Sequence, residues 1–310
     1  MPYFSVIIPL YNKENFVVAT LQSVLAQSFT DFELIIINDG STDGSEEKIK
    51  QFDDARIRYF STENQGASAA RNFGIEHATS NYITFIDADD YWYPDFLQQM
   101  SRNISRFPEE QVFSAAIEIE TPTSIIPAQY SIEKKSDCQI INYFDSSSKT
   151  TAICTSCAVF HKSVFEKTGN FDTSIKSGQD TDLWIRIGLH YSVVFCWKIL
   201  ARYVFDAESL SKKKVTISQK LNFSKFKNLE NENPKLKGFL DYNRFSLAIR
   251  CKLNGDDVNF AQFVNAIDIK KLSAKKKILL RLPVSILRQL IALNLFLARI
   301  GVLNSVFKQN

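Results

Sequence analysis

The chain has 310 residues, 45% of them hydrophobic and 23% charged, which excludes a disordered chain and leaves room for a full core and more than one folded unit. The net charge of +3 conceals a split. From Ile269 onward there are nine basic residues and no acid, so the first 268 positions, with 28 basic against 34 acidic residues, carry −6.

Met1-Pro2-Tyr3 offers no basic n-region, and the apolar run Phe4 to Leu10 is too short for a signal-peptide core, so a cytoplasmic location is expected. The first ninety residues then alternate β-branched runs with amphipathic helical windows. In order these are FSVIIPL, ENFVVATLQSVLAQ, ELIIIND, GSEEKIKQF, RIRYFS, GASAARNFGIEHA and YITFID. Such alternation predicts βαβ units in an α/β fold, with a mostly parallel sheet flanked by helices. Ligands of such sheets bind beyond the carboxyl ends of the strands. Four polar stretches fall there: Tyr11-Asn12, Asn38 to Ser41, Asn64 to Gly66, and Asp87-Ala88-Asp89.

From about Phe107 to Phe205 the pattern is less regular, with strand-like VFSAAIEIE, TAICTSCAVF and SVVFCW around the helical window DTDLWIRIGL. Beyond Ser211 it becomes helical and charged. The expected organisation is a domain over 1–211, with halves 1–106 and 107–211, and a helical, basic C-terminal extension over 212–310. Five cysteines without disulfide spacing suit a reducing compartment, and Cys154 and Cys157 read as small core residues.

In YITFIDADDYW, three carboxylates crowd the end of a buried run, an arrangement that costs stability without a partner. One acid is explained by capping a helix near Pro94; the pair Asp87 and Asp89 suits Mg²⁺ or Mn²⁺ held for a phosphate. Asp39 reads either as a turn residue or as an acceptor for a nucleobase or ribose. Gly66 opens a small-residue helix that permits close backbone approach, and Arg71 suits either a diphosphate or a local acid. Ser177-Gly178-Gln179-Asp180 fits a capping box, in which case Asp182 and Arg186 form a weak surface pair. A carboxylate there also suits a general base.

SVIIPLYNKE, ELIIINDGSTDGS, NQGASAARNFGI, YITFIDADD, and GNFD followed by GQDTDLWIRI occur together in the order and approximate spacing of family-2 glycosyltransferases of the GT-A (Rossmann-like) fold. The chain resembles that family from Tyr3 to about Ser211. The resemblance implies an inverting transferase that takes a nucleotide-diphosphate sugar, a UDP-sugar foremost, with a divalent metal, Mn²⁺ or Mg²⁺. By motif, Pro9, Tyr11 and Glu14 lie in the first nucleotide-contacting loop and Asp39 faces the base. Gly66, Arg71 and Ala88 border the nucleotide-sugar, Asp87 contacts the ribose region, Asp89 holds the metal, and Asp180 is the catalytic base. Two departures stand out. Gln179 replaces an acid often found before the base, and Asp206 stands where many relatives carry a His.

The basic C-terminal stretch lies outside these motifs. Its longest uncharged run, Gln289 to Ala298, falls short of the roughly 18 residues of a membrane span. Ile286, Leu287, Leu290, Leu293, Leu297, Ile300 and Leu303 form a broad apolar face, with Arg288 and Arg299 on nearly one side. This fits an interfacial helix on anionic lipid or, alternatively, a helix packed on the domain. A lipid-linked saccharide acceptor in bacterial surface polysaccharide or glycolipid assembly follows from the first reading. The stretch is more apolar than typical phosphate-binding arms, so nucleic acid is not expected as a partner. Nucleotidyl transfer usually shows a glycine-rich, basic first loop, which LYNKEN lacks, and no G-x-G-x-x-G for NAD follows the first strand. A non-catalytic sugar-nucleotide-binding or membrane-associated scaffold is the remaining alternative, although the metal and base carboxylates are all in place.

Overall fold

The computed structural model describes residues 1–206 and 223–299, which fall into two compact units, one on each side of that interval. The expected boundary near Ser211 lies outside the described residues. The N-terminal unit contains β1 (Phe4–Leu10), α1 (Val17–Leu25), β2 (Phe32–Asp39), α2 (Ser45–Ile49), β3 (Ile57–Thr62), α3 (Ala67–His77), β4 (Tyr82–Phe85), β5 (Tyr91–Trp92) and α4 (Phe96–Arg106). It continues with β6 (Val112–Glu120), β7 (Ile125–Pro127), β8 (Cys138–Ile141), α5 (Tyr143–Ser146), β9 (Ala158–His161), α6 (Ser163–Thr168), α7 (Gln179–Gly188) and β10 (Val193–Tyr203).

One sheet runs in the order β3-β2-β1-β4-β9-β6-β10-β5, with β7 added to β6 and β8 to β10. The pairs among β1, β2, β3 and β4 are all parallel, as the alternating pattern predicts. Every residue of β2 is buried, which explains why Leu34 to Ile37 are apolar without a break rather than alternating. Helix α3 lies close on this layer: a Cβ on Gly74 would meet Ile7 Cγ2 at 2.5 Å and Ile37 Cδ1 at 3.1 Å.

The second half of the sheet is mixed. Strand β9 is antiparallel to both β4 and β6, whereas β6 and β10 run parallel. The run TAICTSCAVF is only partly a strand. Thr155–Cys157 form a 3₁₀ turn, and β9 begins at Ala158. All five cysteines are free, and four are buried, in keeping with small core residues.

The C-terminal unit contains α8 (Lys227–Glu232), α9 (Pro234–Asn254), α10 (Asp257–Ala266), α11 (Ala274–Arg281) and α12 (Val284–Arg299). Asn233 accepts from the amides of Lys235 and Leu236 to start α9, and Gly255, at φ 72°, ends it in the left-handed conformation. Phe245, Ala248 and Ile249 of α9 pack with Leu279 and Leu280 of α11 and Leu287 of α12. Arg244 is buried against Glu230, at 2.5 and 3.1 Å, which satisfies a charge that burial would otherwise penalise. No helix among the described residues is long and apolar enough to cross a membrane.

Candidate active site

Strand ends β1, β2 and β4 bring the predicted residues to one edge of the sheet. Pro9 lies within β1 opposite Ile37, and the chain turns out of the sheet at Tyr11, which is exposed. Asn12 has a positive φ of 50°. Its side-chain oxygen accepts from the Thr42 amide at 2.7 Å, and its own amide donates to Ser41 Oγ. Glu14 accepts from the Gly44 amide at 2.8 Å and donates its own amide to Asp43. The loops after β1 and β2 are thus tied together by short polar side chains.

Asp39 is buried at the end of β2. Its two oxygens accept from the amides of Gln65 and Gly66, each at 2.8 Å, so the carboxylate fixes the loop leading into α3. Gly66 adopts φ 94° immediately before that helix, a conformation side chains resist. One turn later Arg71 is buried. Its Nη2 meets Asp87 Oδ1 at 2.5 Å and its Nη1 meets Asp180 Oδ1 at 3.3 Å, while the guanidinium lies over Phe171 at 5.3 Å. Of the two sequence alternatives for Arg71, the local acid is met by Asp87 and Asp180.

After β4 the three acids part company. The Asp87 amide donates to Ser156 Oγ, and its side chain pairs with Arg71. Buried Ala88 and Asp90 each offer a carbonyl to Thr20 Oγ1, at 3.0 and 2.8 Å, which pins the turn to α1. Asp90 is a buried brace: it accepts from Ser156 Oγ at 2.5 Å and from the Val204 amide at 3.1 Å. Burial pushes its carboxyl well above the usual range, and Asp87 and Asp89 add to the shift. None of the three caps the next helix, because Asp95 precedes α4 and pairs with Lys198.

Asp89 faces Lys13. The Lys13 ammonium lies 2.5 Å from Asp89 Oδ2 and 2.5 Å from Asp206 Oδ2. Burial, then the charge of Asp87, raises the Asp89 carboxyl against the opposing pull of Lys13. For Lys13 burial acts downward and is the largest single influence, but together Asp89 and Asp206 hold the ammonium above its ordinary value. Among the described residues no group of three His, Cys, Asp or Glu side chains stands close enough to enclose a metal. The two oxygens gathered on one ammonium nevertheless fit a hard divalent cation, which typically takes one or two carboxylates and completes its shell from water and phosphate. Asp206, the departure from His, belongs to this pair. A cavity of about 210 Å³ adjoins Asp89, lined in part by Phe16, Tyr91, Glu120 and Arg202.

Asp180 sits in the first turn of α7, after Gly178 in the left-handed conformation. No side chain caps this helix start, so the Ser177 capping box does not form. The Asp180 carboxyl is raised by burial, drawn back by Arg71 and raised again by Asp87. Asp182 and Arg186 do pair, at 3.0 Å, but not on the surface: the Asp182 side chain is fully buried. Arg186 also donates to the carbonyls of Gly169 and Asn170, which fixes the GNFD loop and with it Phe171 beneath Arg71.

The sequence did not single out Lys13, Thr155 or Ser156. Lys13 lies next to Glu14 and two positions from Tyr11, both predicted, and that proximity was the available signal. Thr155 and Ser156 reach Asp87 and Asp90 from between two cysteines, where nothing in the pattern marks them.

A mixed sheet whose parallel half carries these acids at its strand ends defines a GT-A fold. The sequence model for glycosyl transferase family 2 matches residues 5–169, more than half of the chain, which therefore belongs to that family. The chain is 41% identical over 105 residues to glycosyltransferase GlyA of Streptococcus pneumoniae serotype 4, covering 33% of this chain and 15% of that protein. It is 30% identical over 216 residues to an uncharacterized glycosyltransferase of Rickettsia typhi, covering 67% of this chain and 66% of that protein. The chain thus spans less than two thirds of the length of each. Among solved structures it is similar to residues 1–349 of S. aureus TarS in complex with UDP-GlcNAc. The TM-score is 0.61 at 19% identity, over 95% of this chain and 80% of that one, a likeness of fold.

Proposed function

We propose that the protein is an inverting glycosyltransferase that moves a sugar from a nucleotide-diphosphate sugar, a UDP-sugar foremost, to an acceptor hydroxyl. The observation that carries this reading is the Arg71 bridge, which ties Asp87 at the donor side to Asp180 at the acceptor side. Asp180 takes the proton from the hydroxyl as its oxygen bonds to the anomeric carbon, and the bond from that carbon to the diphosphate oxygen breaks on the opposite face. A raised carboxyl suits a base that must take up a proton, and the positive charge of Arg71 opposes that rise and favours the ionised form. Pro9, Tyr11, Glu14, Asp39, Gly66, Ala88 and Asp87 border the nucleotide. Asp89, with Asp206, would hold Mn²⁺ or Mg²⁺, whose charge stabilises the departing diphosphate. A panel of nucleotide sugars, scored by hydrolysis and thermal stabilisation with and without Mn²⁺, tests this. Stabilisation by nucleoside triphosphates with none by any nucleotide sugar would sink it.

The complex of TarS with UDP-GlcNAc supports a UDP-linked donor. Peripheral contact with an anionic membrane, on its cytoplasmic face, is the reading we extend to the C-terminal unit. Ile286, Leu290 and Leu293 recur at helical spacing on α12 and are 42%, 40% and 53% exposed, while Leu287 between them is buried. Lys275, Lys277 and Arg281 precede this stripe, and apolar side chains beside basic ones suit anionic lipid. Leu297, Ile300 and Leu303 of the same apolar face lie outside the described side chains. An acceptor carried on lipid, as in surface polysaccharide or glycolipid assembly, would follow.

A further inference from the structure

Two carboxylates turned toward one point repel unless something positive stands between them, and Asp89 and Asp206 are turned that way with side chains only 15% and 9% exposed. The positive group is the chain's own. Lys13 Nζ lies 2.5 Å from one oxygen of each. Its reach is set by the backbone: Asn12 is held at φ 50° by Ser41 and Thr42, and the Lys13 amide donates to Ser45 Oγ at 2.9 Å. The lysine is therefore anchored at its base and paired at its tip. It is not a surface side chain that happens to fall near an acid.

We infer that Lys13 is the resident counter-ion of the cation site, occupying the position between Asp89 and Asp206 until a divalent metal displaces it. This rests on the reading that Asp89 holds such a metal. The ammonium and the metal compete for the same oxygens, so both cannot be fully engaged. Lys13 holds the two acids together when no metal is bound, and it lowers the apparent affinity for free metal by the fraction of time it keeps the position. A metal arriving with a diphosphate brings further ligands of its own and wins the exchange more easily than the bare ion. Lys13 is thus a positioning residue that favours loading of metal together with donor.

The test measures Mn²⁺ binding to the full chain by titration calorimetry and by the paramagnetic resonance of free Mn²⁺, with and without UDP. Lys13→Met is expected to tighten binding of Mn²⁺ alone on the order of tenfold and to shrink the gain that UDP provides. Lys48→Met, which removes a nearby charge whose ammonium bonds the Glu14 carbonyl instead, controls for a general change of field and is expected to leave the affinity within about twofold. In the wild type, amine acetylation followed by mass spectrometry reads Lys13 directly, and its labelling is expected to rise when Mn²⁺ is added. An unchanged Mn²⁺ affinity in Lys13→Met, an equal gain in Lys48→Met, or Lys13 labelling indifferent to Mn²⁺ overturns the inference and leaves the metal site standing. Absence of Mn²⁺ binding in every protein, with UDP present, overturns both.

Discussion

Arg71 and Asp180 are 109 residues apart in the chain and 3.3 Å apart in the fold, and the same guanidinium holds Asp87 at 2.5 Å. Its positive charge favours the ionised form of Asp180, opposing the burial that raises that carboxyl. Arg71→Met removes the opposing influence, so the carboxyl rises further and a larger share is protonated at a given pH. The acidic limb of the kcat/KM profile should move to higher pH, with Arg71→Lys shifted less. Arg71 is buried but its carboxylate partners are 30% and 37% exposed, so losing it should cost only about 1 kcal/mol in denaturant unfolding. A limb that stays in place in Arg71→Met would dissociate Asp180 from the pH dependence.

Asp180→Asn keeps the size of the side chain and one hydrogen-bonding oxygen but cannot take a proton at neutral pH. Donor affinity, read by thermal stabilisation, should stay near that of the wild type while turnover falls by about 10²-fold or more. Equal losses of affinity and turnover would mark Asp180 as a structural residue of the α7 start.

Asp89→Asn should weaken Mn²⁺-dependent binding of UDP in calorimetry, because an amide is a poorer ligand than a carboxylate for a hard cation. It also leaves Lys13 with one acid, Asp206. Undiminished affinity with the same metal dependence would remove Asp89 from the metal site.

Vesicles carrying anionic lipid should bind the intact protein and release it as salt rises, since screening weakens the attraction of Lys and Arg. The double substitution Leu290→Ser and Leu293→Ser should reduce binding without lowering the melting temperature, because both side chains are exposed. Removing the whole stretch from Ile269 is a poorer test: Leu279, Leu280 and Leu287 belong to the core of the C-terminal unit. Binding unaltered by the double substitution would locate any lipid contact elsewhere.

The parallel half of the fold was legible because β1, β2 and β4 are apolar runs that end in polar residues, and the strand-end rule then gathers Tyr11, Asp39 and Asp87 at one edge. Arg71 and Asp180 were open to two readings each, and the motifs that resemble family 2 are what assigned them roles at the site. What stayed hidden were relationships that local pattern does not carry. The spacing of Asp182 and Arg186 correctly indicates a pair, but spacing says nothing of depth, and the carboxylate is buried. Leu287 lies in the same apolar stretch as Leu290, yet one is core and the other exposed. The partner of Asp90, Ser156, is 66 residues away, and only the folded chain brings them together.

The position of β9 bears on how the molecule is made. This strand is synthesised after β6, yet it enters the sheet between β4 and β6. Until it emerges, β4, with Ile83 and Phe85 destined for the interior, has β1 on one side and an open ladder on the other. An unpaired apolar edge is a template for strands of other chains. The same late segment delivers Ser156 to Asp87 and Asp90. A fragment ending at residue 106 would therefore contain most of the conspicuous motifs yet tend to aggregate during expression, and extension through His161 is the shortest change that gives β4 its second neighbour.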